Sequence, residues 1–418
     1  MCNYNTMSKQ QLLDEQKTLL ARYNDFKAKN LSLDMSRGKP GADQLDLSNA
    51  MNEPIDYVEN GFDVRNYGLL DGIPSCKKLF AELMGVESKN VIVGPNASLT
   101  LMFDYISQCC SHGCGDTPWS KLEEVKFICP VPGYDRHFTI LDYFGIKMIN
   151  VDMKEDGPDM DAIEELVKDG SVKGMICVPK YSNPQGITFS NEVVERIAAL
   201  KPAAKDFRII WDNAYCIHDL SDDHDELLNI FDVLPKYGNE DMVLEFCSTS
   251  KITFPGAGVS AVIASDNNIA SIKKRLNCQT ISYDKMNQLR HVRFFGDANG
   301  VLNHMKKHAA ILKPKFDMVI NHLEKELGGK DIATWLNPKG GYFISLDVMP
   351  GCAKRVGELC KQAGVTLTTV GATFPYGKES NNSNIRIAPS YPPVDELDMA
   401  AELLCICVKL ACIEKLVG

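Results

Sequence analysis

Between about Ala50 and Gly300 the chain keeps repeating one unit: a short apolar run, a polar or glycine-bearing turn, then an amphipathic segment. The runs are Val91-Ile92-Val93, Val125 to Cys129, Val172 to Val178, Phe207 to Trp211 and Val243 to Cys247. Such short, almost wholly apolar runs read as strands buried on both faces, and their alternation with helices predicts a mostly parallel sheet sandwiched by helices. In an open sheet of that kind ligands bind beyond the carboxyl ends of the strands. The residues that follow each run therefore carry the chemistry.

After Cys247 comes Ser248-Thr249-Ser250-Lys251, a lysine amine among small hydroxyls. Burial at a strand end lowers an amine's pKa, and a partly unprotonated amine can hold an aldehyde as a Schiff base. After Trp211 comes Asp212, with Tyr215 three residues on; a carboxylate there can pair with a pyridinium nitrogen. Val178 leads through Pro179-Lys180-Tyr181-Ser182 to Asn183-Pro184-Gln185-Gly186, whose Asn183 amide can donate to a ring oxygen. Val93 leads through Gly94-Pro95-Asn96-Ala97-Ser98 into a helix with Leu99, Leu101, Met102 and Tyr105. A helix start offers free N–H groups to a phosphate. Cys129 leads to Tyr134, an aromatic that can stack on a flat ring. Taken singly, the serine-lysine tetrad also fits a solvated turn, Asp212 a helix cap, Asn183-Pro184 an ordinary turn and Tyr134 core packing.

Together and in this order, the pieces resemble the fold-type I enzymes that use pyridoxal 5′-phosphate, specifically class I aminotransferases. The resemblance spans nearly the whole chain, through Asn66-Tyr67-Gly68 with Gly72 near the start and Asn384-Ile385-Arg386-Ile387-Ala388 near the end. It is closest to the bacterial aspartate aminotransferase subgroup that shares the MocR-type domain, through Met35 to Gly41, Ser250 to Gly256 and Gln288 to Arg293. The resemblance implies an α/β fold: a large domain with a seven-stranded type of mostly parallel sheet between helices, and a smaller α+β domain.

It also implies roles. Lys251 forms the imine with the cofactor and shuttles the substrate's α-proton, Asp212 pairs with the ring nitrogen, Asn183 and Tyr215 bond the ring oxygen, and Tyr134 covers a ring face. Ala97, Ser98, Ser248 and Ser250 hold the phosphate, while Tyr67 reaches the phosphate of a neighbouring subunit in a homodimer with shared active sites. Arg386 and Gly38 take the substrate's α-carboxylate. For a second, side-chain carboxylate Arg37 is a candidate beside Arg65, Arg136, Arg290 and Arg293. The chain departs from the family at Gly258, seven residues after Lys251, where an arginine commonly grips the phosphate. The implied reaction moves an amino group from aspartate to 2-oxoglutarate, giving oxaloacetate and glutamate. Transamination of alanine, an aromatic amino acid or 2-aminoadipate is an alternative, as is a β-lyase on the same cofactor.

The remaining sequence sets the frame. Residues 1–49 form an N-terminal helix and arm counted with the small domain, residues 50–300 the large cofactor-binding domain, and residues 301–418 a linking helix and the small domain. Ser8 to Gln11 is a capping-box pattern opening a helix with Leu12, Leu19, Leu20, Tyr23 and Phe26 along one side, packed on the catalytic body. A helix is expected from Val301 to about Leu327 with Leu302, Met305, Ala309, Leu312 and Phe316 inward, then a small sheet from Gly340–Ser345, Val365–Val370 and Asn384–Ile387. Hydrophobic residues make up 44% of the 418, enough for a substantial core. A net charge of −10 argues against nucleic acid as a partner. A sensor role, as in MocR-type regulators with a DNA-binding head, is disfavoured because the chain starts within about thirty residues of the domain. The first thirty residues lack a signal-peptide block and no run reaches a membrane span, so the expectation is a cytoplasmic protein. Fifteen cysteines, an odd number lying mostly in apolar segments, read as reduced, buried thiols, and no metal is expected.

Overall fold

The structure, a computed structural model, describes residues 3–115 and 117–418. Its centre is a sheet in the order Val91–Val93, Ser260–Ala264, Val243–Ser248, Arg208–Asp212, Val172–Cys177, Lys126–Val131, Lys147–Lys154 and Gly157–Pro158. The five runs read from the sequence are all strands. The strand Val243–Ser248 is parallel to Arg208–Asp212, and the parallel pairing continues strand by strand to Lys147–Lys154. Ser260–Ala264 is antiparallel to both of its neighbours, so Val91–Val93 points the same way as the parallel set. The carboxyl ends of all five runs thus lie along one edge. Seven strands of three or more residues are joined by the two-residue Gly157–Pro158 at the border.

Both faces of the sheet are buried across the five runs, which is why those strands do not alternate with polar residues, whereas Lys147–Lys154, toward the border, is largely open and does. On one face Ile92, Phe127, Ile176, Ile210 and Leu244 pack with Leu101, Met102, Leu141 and Ile272 from helices. On the other, Ile128, Met175, Ile209, Trp211 and Val243 pack with Ile163, Val194, Ile197 and Val233. Successive residues such as Ile209 and Ile210 serve opposite cores, as the two-residue period of a strand requires.

The helix Val394–Val417 is buried without a break from Leu403 to Ile413. A helix of that kind needs cover all round. It is covered by the helices Lys9–Ala28, Ala298–Leu327 and Ala353–Gln362. The N-terminal helix has the expected capping box, but it packs against this terminal helix rather than on the cofactor-side body: Arg22 pairs with Glu402 at 2.8 Å and the Tyr23 hydroxyl donates to the Leu359 carbonyl at 2.9 Å. Leu20 and Leu302 lie outside the packed faces, at 40% and 41% exposure, because each sits off the apolar stripe of its helix. The small sheet is Ala333–Trp335, Ile344–Val348 and Asn384–Ile387. Val365–Thr366 does not join it; it pairs in parallel with Leu33–Asp34, so the N-terminal arm completes a separate ladder beside Met35 to Gly38. Among the described residues no helix is long and apolar enough to cross a membrane, no group of ligating side chains could hold a metal ion, and the cysteines are unbridged.

Candidate active site

A cavity of about 690 Å³ opens at the carboxyl edge of the large sheet. Of the residues singled out from the sequence, it is lined by Gly38, Arg37, Ala97, Ser98, Tyr134, Asn183, Asp212, Tyr215, Ser248, Ser250, Lys251 and Arg386. Segments nearly three hundred and fifty residues apart in the chain meet there, since the five turns share one edge and Arg386 comes from the small sheet. Tyr67 does not line it. It is 76% exposed, on the outer surface of the chain.

Lys251 follows Val243–Ser248 in a turn fixed from beneath. The Thr249 and Thr253 hydroxyls each lie 2.9 Å from Nε2 of buried His291, and the Ile252 carbonyl lies 2.9 Å from Nε2 of His304. The lysine amine sits 5.0 Å from the centroid of the Tyr215 ring and 5.9 Å from that of Tyr342. Burial lowers its pKa; Asp212 opposes this and Arg386 reinforces it. Such an environment favours the neutral, nucleophilic amine. Tyr215 is fully enclosed, and burial holds its hydroxyl well above the ordinary range, so it is a neutral donor.

Asp212 ends the strand Arg208–Asp212 and is 3% exposed. Its Oδ2 lies 2.8 Å from His137 Nε2, while its Oδ1 is buried with no hydrogen-bond partner among the described residues. A buried carboxylate oxygen without a partner is costly and calls for a donor on the cavity side. The protonated ring nitrogen of pyridoxal phosphate is such a donor. The cradle for its phosphate fits equally: the helix Ser98–His112 starts without a side-chain cap, leaving first-turn N–H groups free, and Ser98 is its first residue. The Ser248 hydroxyl donates to Ser250 Oγ at 3.0 Å, and Ser250 Oγ donates to the Asn96 carbonyl at 3.0 Å.

The glycine at 258 has a geometric reason. A Cβ on Gly258 would stand 2.8 Å from the Asn96 carbonyl oxygen and 3.3 Å from the Ser250 backbone. The two turns of the cradle pack directly on each other there, leaving no room for an arginine. Backbone amides and serine hydroxyls are the donors available there to an anion.

Across the cavity, Arg386 is 8% exposed. Its Nη1 donates to Asp135 Oδ1 at 3.1 Å and to Asn183 Oδ1 at 3.2 Å, its Nε donates to Thr368 Oγ1 at 3.2 Å, and the group lies 4.7 Å from the Phe343 ring centroid. Asn183 gives its oxygen to Arg386, and its amide N–H groups have no partner among the described residues. Gly38 is needed for closeness: a Cβ on it would meet the Phe343 ring at 2.3 Å. The five arginines separate cleanly. Arg65 pairs with Asp63 at 2.6 Å, Arg290 donates to the Tyr57 hydroxyl at 3.2 Å and Arg293 to the Val58 carbonyl at 3.3 Å, all away from the cavity. Arg37 and Arg136 line it, and among the described residues their side chains make no hydrogen bond or ion pair.

Sequence reasoning missed His137, Asp135, Thr368 and the histidines beneath Lys251. Five of the chain's eight histidines are buried; none lines the cavity itself, but His137 bonds Asp212, and His291 and His304 bond the turn that carries Lys251. The spacing Tyr134-x-x-His137 was the available signal: it puts both residues on one side of the first helical turn, where they meet edge to face at 5.0 Å.

The profile of the aspartate amino-transferase family matches residues 7–418. The chain is 48% identical over 399 residues to an aspartate aminotransferase of Corynebacterium glutamicum, covering 94% of this chain and 92% of that one. A crystal structure of an aspartate transaminase from Corynebacterium glutamicum superposes with a TM-score of 0.96 at 46% identity, covering 99% of both chains. The aspartate aminotransferase of Thermus thermophilus, solved with maleate, shares the fold at a TM-score of 0.69 and 15% identity, over 94% of this chain and 96% of that one. The chain belongs to the aspartate aminotransferase family and is a pyridoxal 5′-phosphate-dependent aminotransferase of fold type I.

Proposed function

We propose that the enzyme transfers the amino group of aspartate to 2-oxoglutarate, producing oxaloacetate and glutamate. The observation that carries this reading is the cation pattern of the cavity: Arg386 on one wall, with Arg37 and Arg136 unpaired on the rim, suits a substrate with two carboxylates. The likeness to the Corynebacterium glutamicum aspartate aminotransferase supports it.

When bound, pyridoxal phosphate supplies an aldehyde that accepts and passes on the amino group, and a ring that spreads the electrons left by the departing α-proton. The chain supplies the rest. Lys251 attaches the cofactor and, once released, carries the proton at its Nζ, which burial keeps ready to accept. Asp212, oriented by His137, holds a proton on the ring nitrogen through Oδ1. Asn183 and Tyr215 would donate to the ring oxygen of the bound cofactor, and Tyr134 would cover one ring face. Ala97, Ser98, Ser248 and Ser250 hold the phosphate, and Tyr67 serves the neighbouring site of a cytoplasmic homodimer. Arg386 and the Gly38 N–H take the α-carboxylate, with Arg37 as the first choice for the second carboxylate. We also read residues 50–300 as the large domain, residues 1–49 and 301–418 as the small one, and the chain as a member of the subgroup sharing the MocR-type domain.

Incubation with aspartate and 2-oxoglutarate tests the reaction: oxaloacetate and glutamate should appear in equal amounts. Release of ammonia without glutamate, or a half-reaction faster with alanine or 2-aminoadipate than with aspartate, would overturn it.

A further inference from the structure

Arg386 faces the cavity with a carboxylate already on it. Its five N–H hydrogens can be accounted for: Nε–H goes to Thr368, the two on Nη1 go to Asp135 and Asn183, and those on Nη2 have no partner among the described residues. A substrate carboxylate that binds the guanidinium in the two-pronged manner takes one hydrogen from each Nη. Both Nη1 hydrogens are already held, one by Asp135 and one by Asn183, so the incoming carboxylate must displace one of these two partners.

Asp135 is the one placed to yield. Its side chain is 34% exposed, against 8% for that of Arg386, so it can turn into water while the arginine stays. It is the first residue of the helix Asp135–Tyr143, where free backbone N–H groups and the helix dipole stabilise a carboxylate that has let go of its partner. Arg136, unpaired, is next to it. A guanidinium as enclosed as Arg386 is costly to leave without an anion. Asp135 meets that need while leaving Nη2 free.

We propose that Asp135 is a built-in competitor for the substrate's carboxylate, seated on Arg386 between turnovers and displaced by each incoming amino or oxo acid. The inference rests on reading Arg386 as the carboxylate site. Because donor and acceptor present the same carboxylate to Arg386, Asp135 weakens both alike and hastens release of both products.

The test is Asp135→Asn in the cofactor-loaded enzyme, which keeps the size and a neutral acceptor but removes the charge. KM for aspartate and for 2-oxoglutarate should fall together, by about ten-fold for one charge-assisted hydrogen bond no longer contested, with kcat moving less than KM. Maleate, a dicarboxylate that cannot react, should bind tighter by the same factor in calorimetry. Weaker or unchanged maleate binding would overturn the proposal and make Asp135 an anchor that merely holds Arg386 in place. Asp135→Ser, which keeps a helix-starting residue, gives the same reading should the asparagine variant fail to fold. Arg386→Lys separates the two levels: if it leaves maleate affinity unchanged, the carboxylate site itself is misassigned.

Discussion

The two ends of the large sheet carry cavities of similar size and opposite character. At the amino ends, a cavity of about 870 Å³ is bordered by Lys89, Arg208, Met242 and Asp266. At the carboxyl ends, the smaller one of about 690 Å³ holds Lys251, Asp212 and Arg386. In the first, the exposed charges satisfy one another: Lys89 lies 3.5 Å from Glu87 and 3.4 Å from Asp266, both well solvated. The buried Arg208 donates from Nη1 to the Phe207 carbonyl and from Nη2 to the Cys114 carbonyl, with its Nε left without a partner among the described residues. In the second, a lysine is depressed by burial, a carboxylate oxygen has no partner, and an arginine is shared between an acid and neutral groups. Volume does not mark the site. A lysine, a carboxylate and an arginine converging on one rigid edge do.

The largest effect should come from Lys251. Replacing Lys251 by Ala should reduce transamination by roughly a thousand-fold or more, the scale of a lost proton-transfer group, while melting stays close to that of the parent. Lys89→Ala, in the larger cavity, should leave turnover intact. Comparable losses from both variants in a steady-state assay would erase the contrast between the two edges.

A smaller effect is expected one shell out. His137→Ala removes the only hydrogen bond to Asp212 Oδ2 among the described residues and should lower kcat about ten-fold, the cost of one charge-assisted bond to a buried carboxylate. Absorbance of the bound cofactor against pH reads the same change directly, since a poorly held Asp212 is a weaker partner for the ring nitrogen. An unchanged kcat and spectrum would reduce His137 to a packing residue.

How much of this was legible in the sequence follows the same division. The strand-end residues were, because a parallel sheet buried on both faces writes itself as short apolar runs and the chemistry must follow each run. Lys251, Asp212, Asn183, Ser98 and Tyr134 all came from that rule. Arg386 was visible as a lone charge within the strand Asn384–Ile387, buried throughout. What stayed hidden comes from contacts between distant segments. Asp135 reaches Arg386 across 251 positions, and the Gln44 amide donates to the Tyr342 hydroxyl across 298. Val365–Thr366 finds Leu33–Asp34 rather than the small sheet for the same reason: a two-residue strand has too little pattern to declare its partner. The histidines were missed because an isolated histidine in an apolar helix looks like core.

Those histidines supply the finest distinction between the two edges. His291 is 1% exposed, with Nδ1 2.8 Å from the Asn287 carbonyl, so Nδ1 carries the proton and Nε2 accepts from Thr249 and Thr253 under the Lys251 turn. Burial pushes its pKa down to about 4, against an ordinary 6.5. The unfolded chain therefore takes up a proton at a higher pH than the folded one, and stability must fall as pH drops from 6.5 toward 4. Above 6.5 the contribution is complete. The size is roughly 3 kcal/mol at the acid end of the window. Burial also depresses His308, to about 4, so the floor of the site acts in one direction. His291→Gln keeps an acceptor for the two threonines without the titration, and calorimetric melting at pH 7, 5.5 and 4.5 should show a shallower decline than the parent over that interval. The carboxylates that titrate in the same range are common to both proteins and cancel in the difference. Parallel curves would mean that the fold tolerates a charged imidazole there, and the turn that presents Lys251 would then owe its position to packing rather than to a neutral histidine.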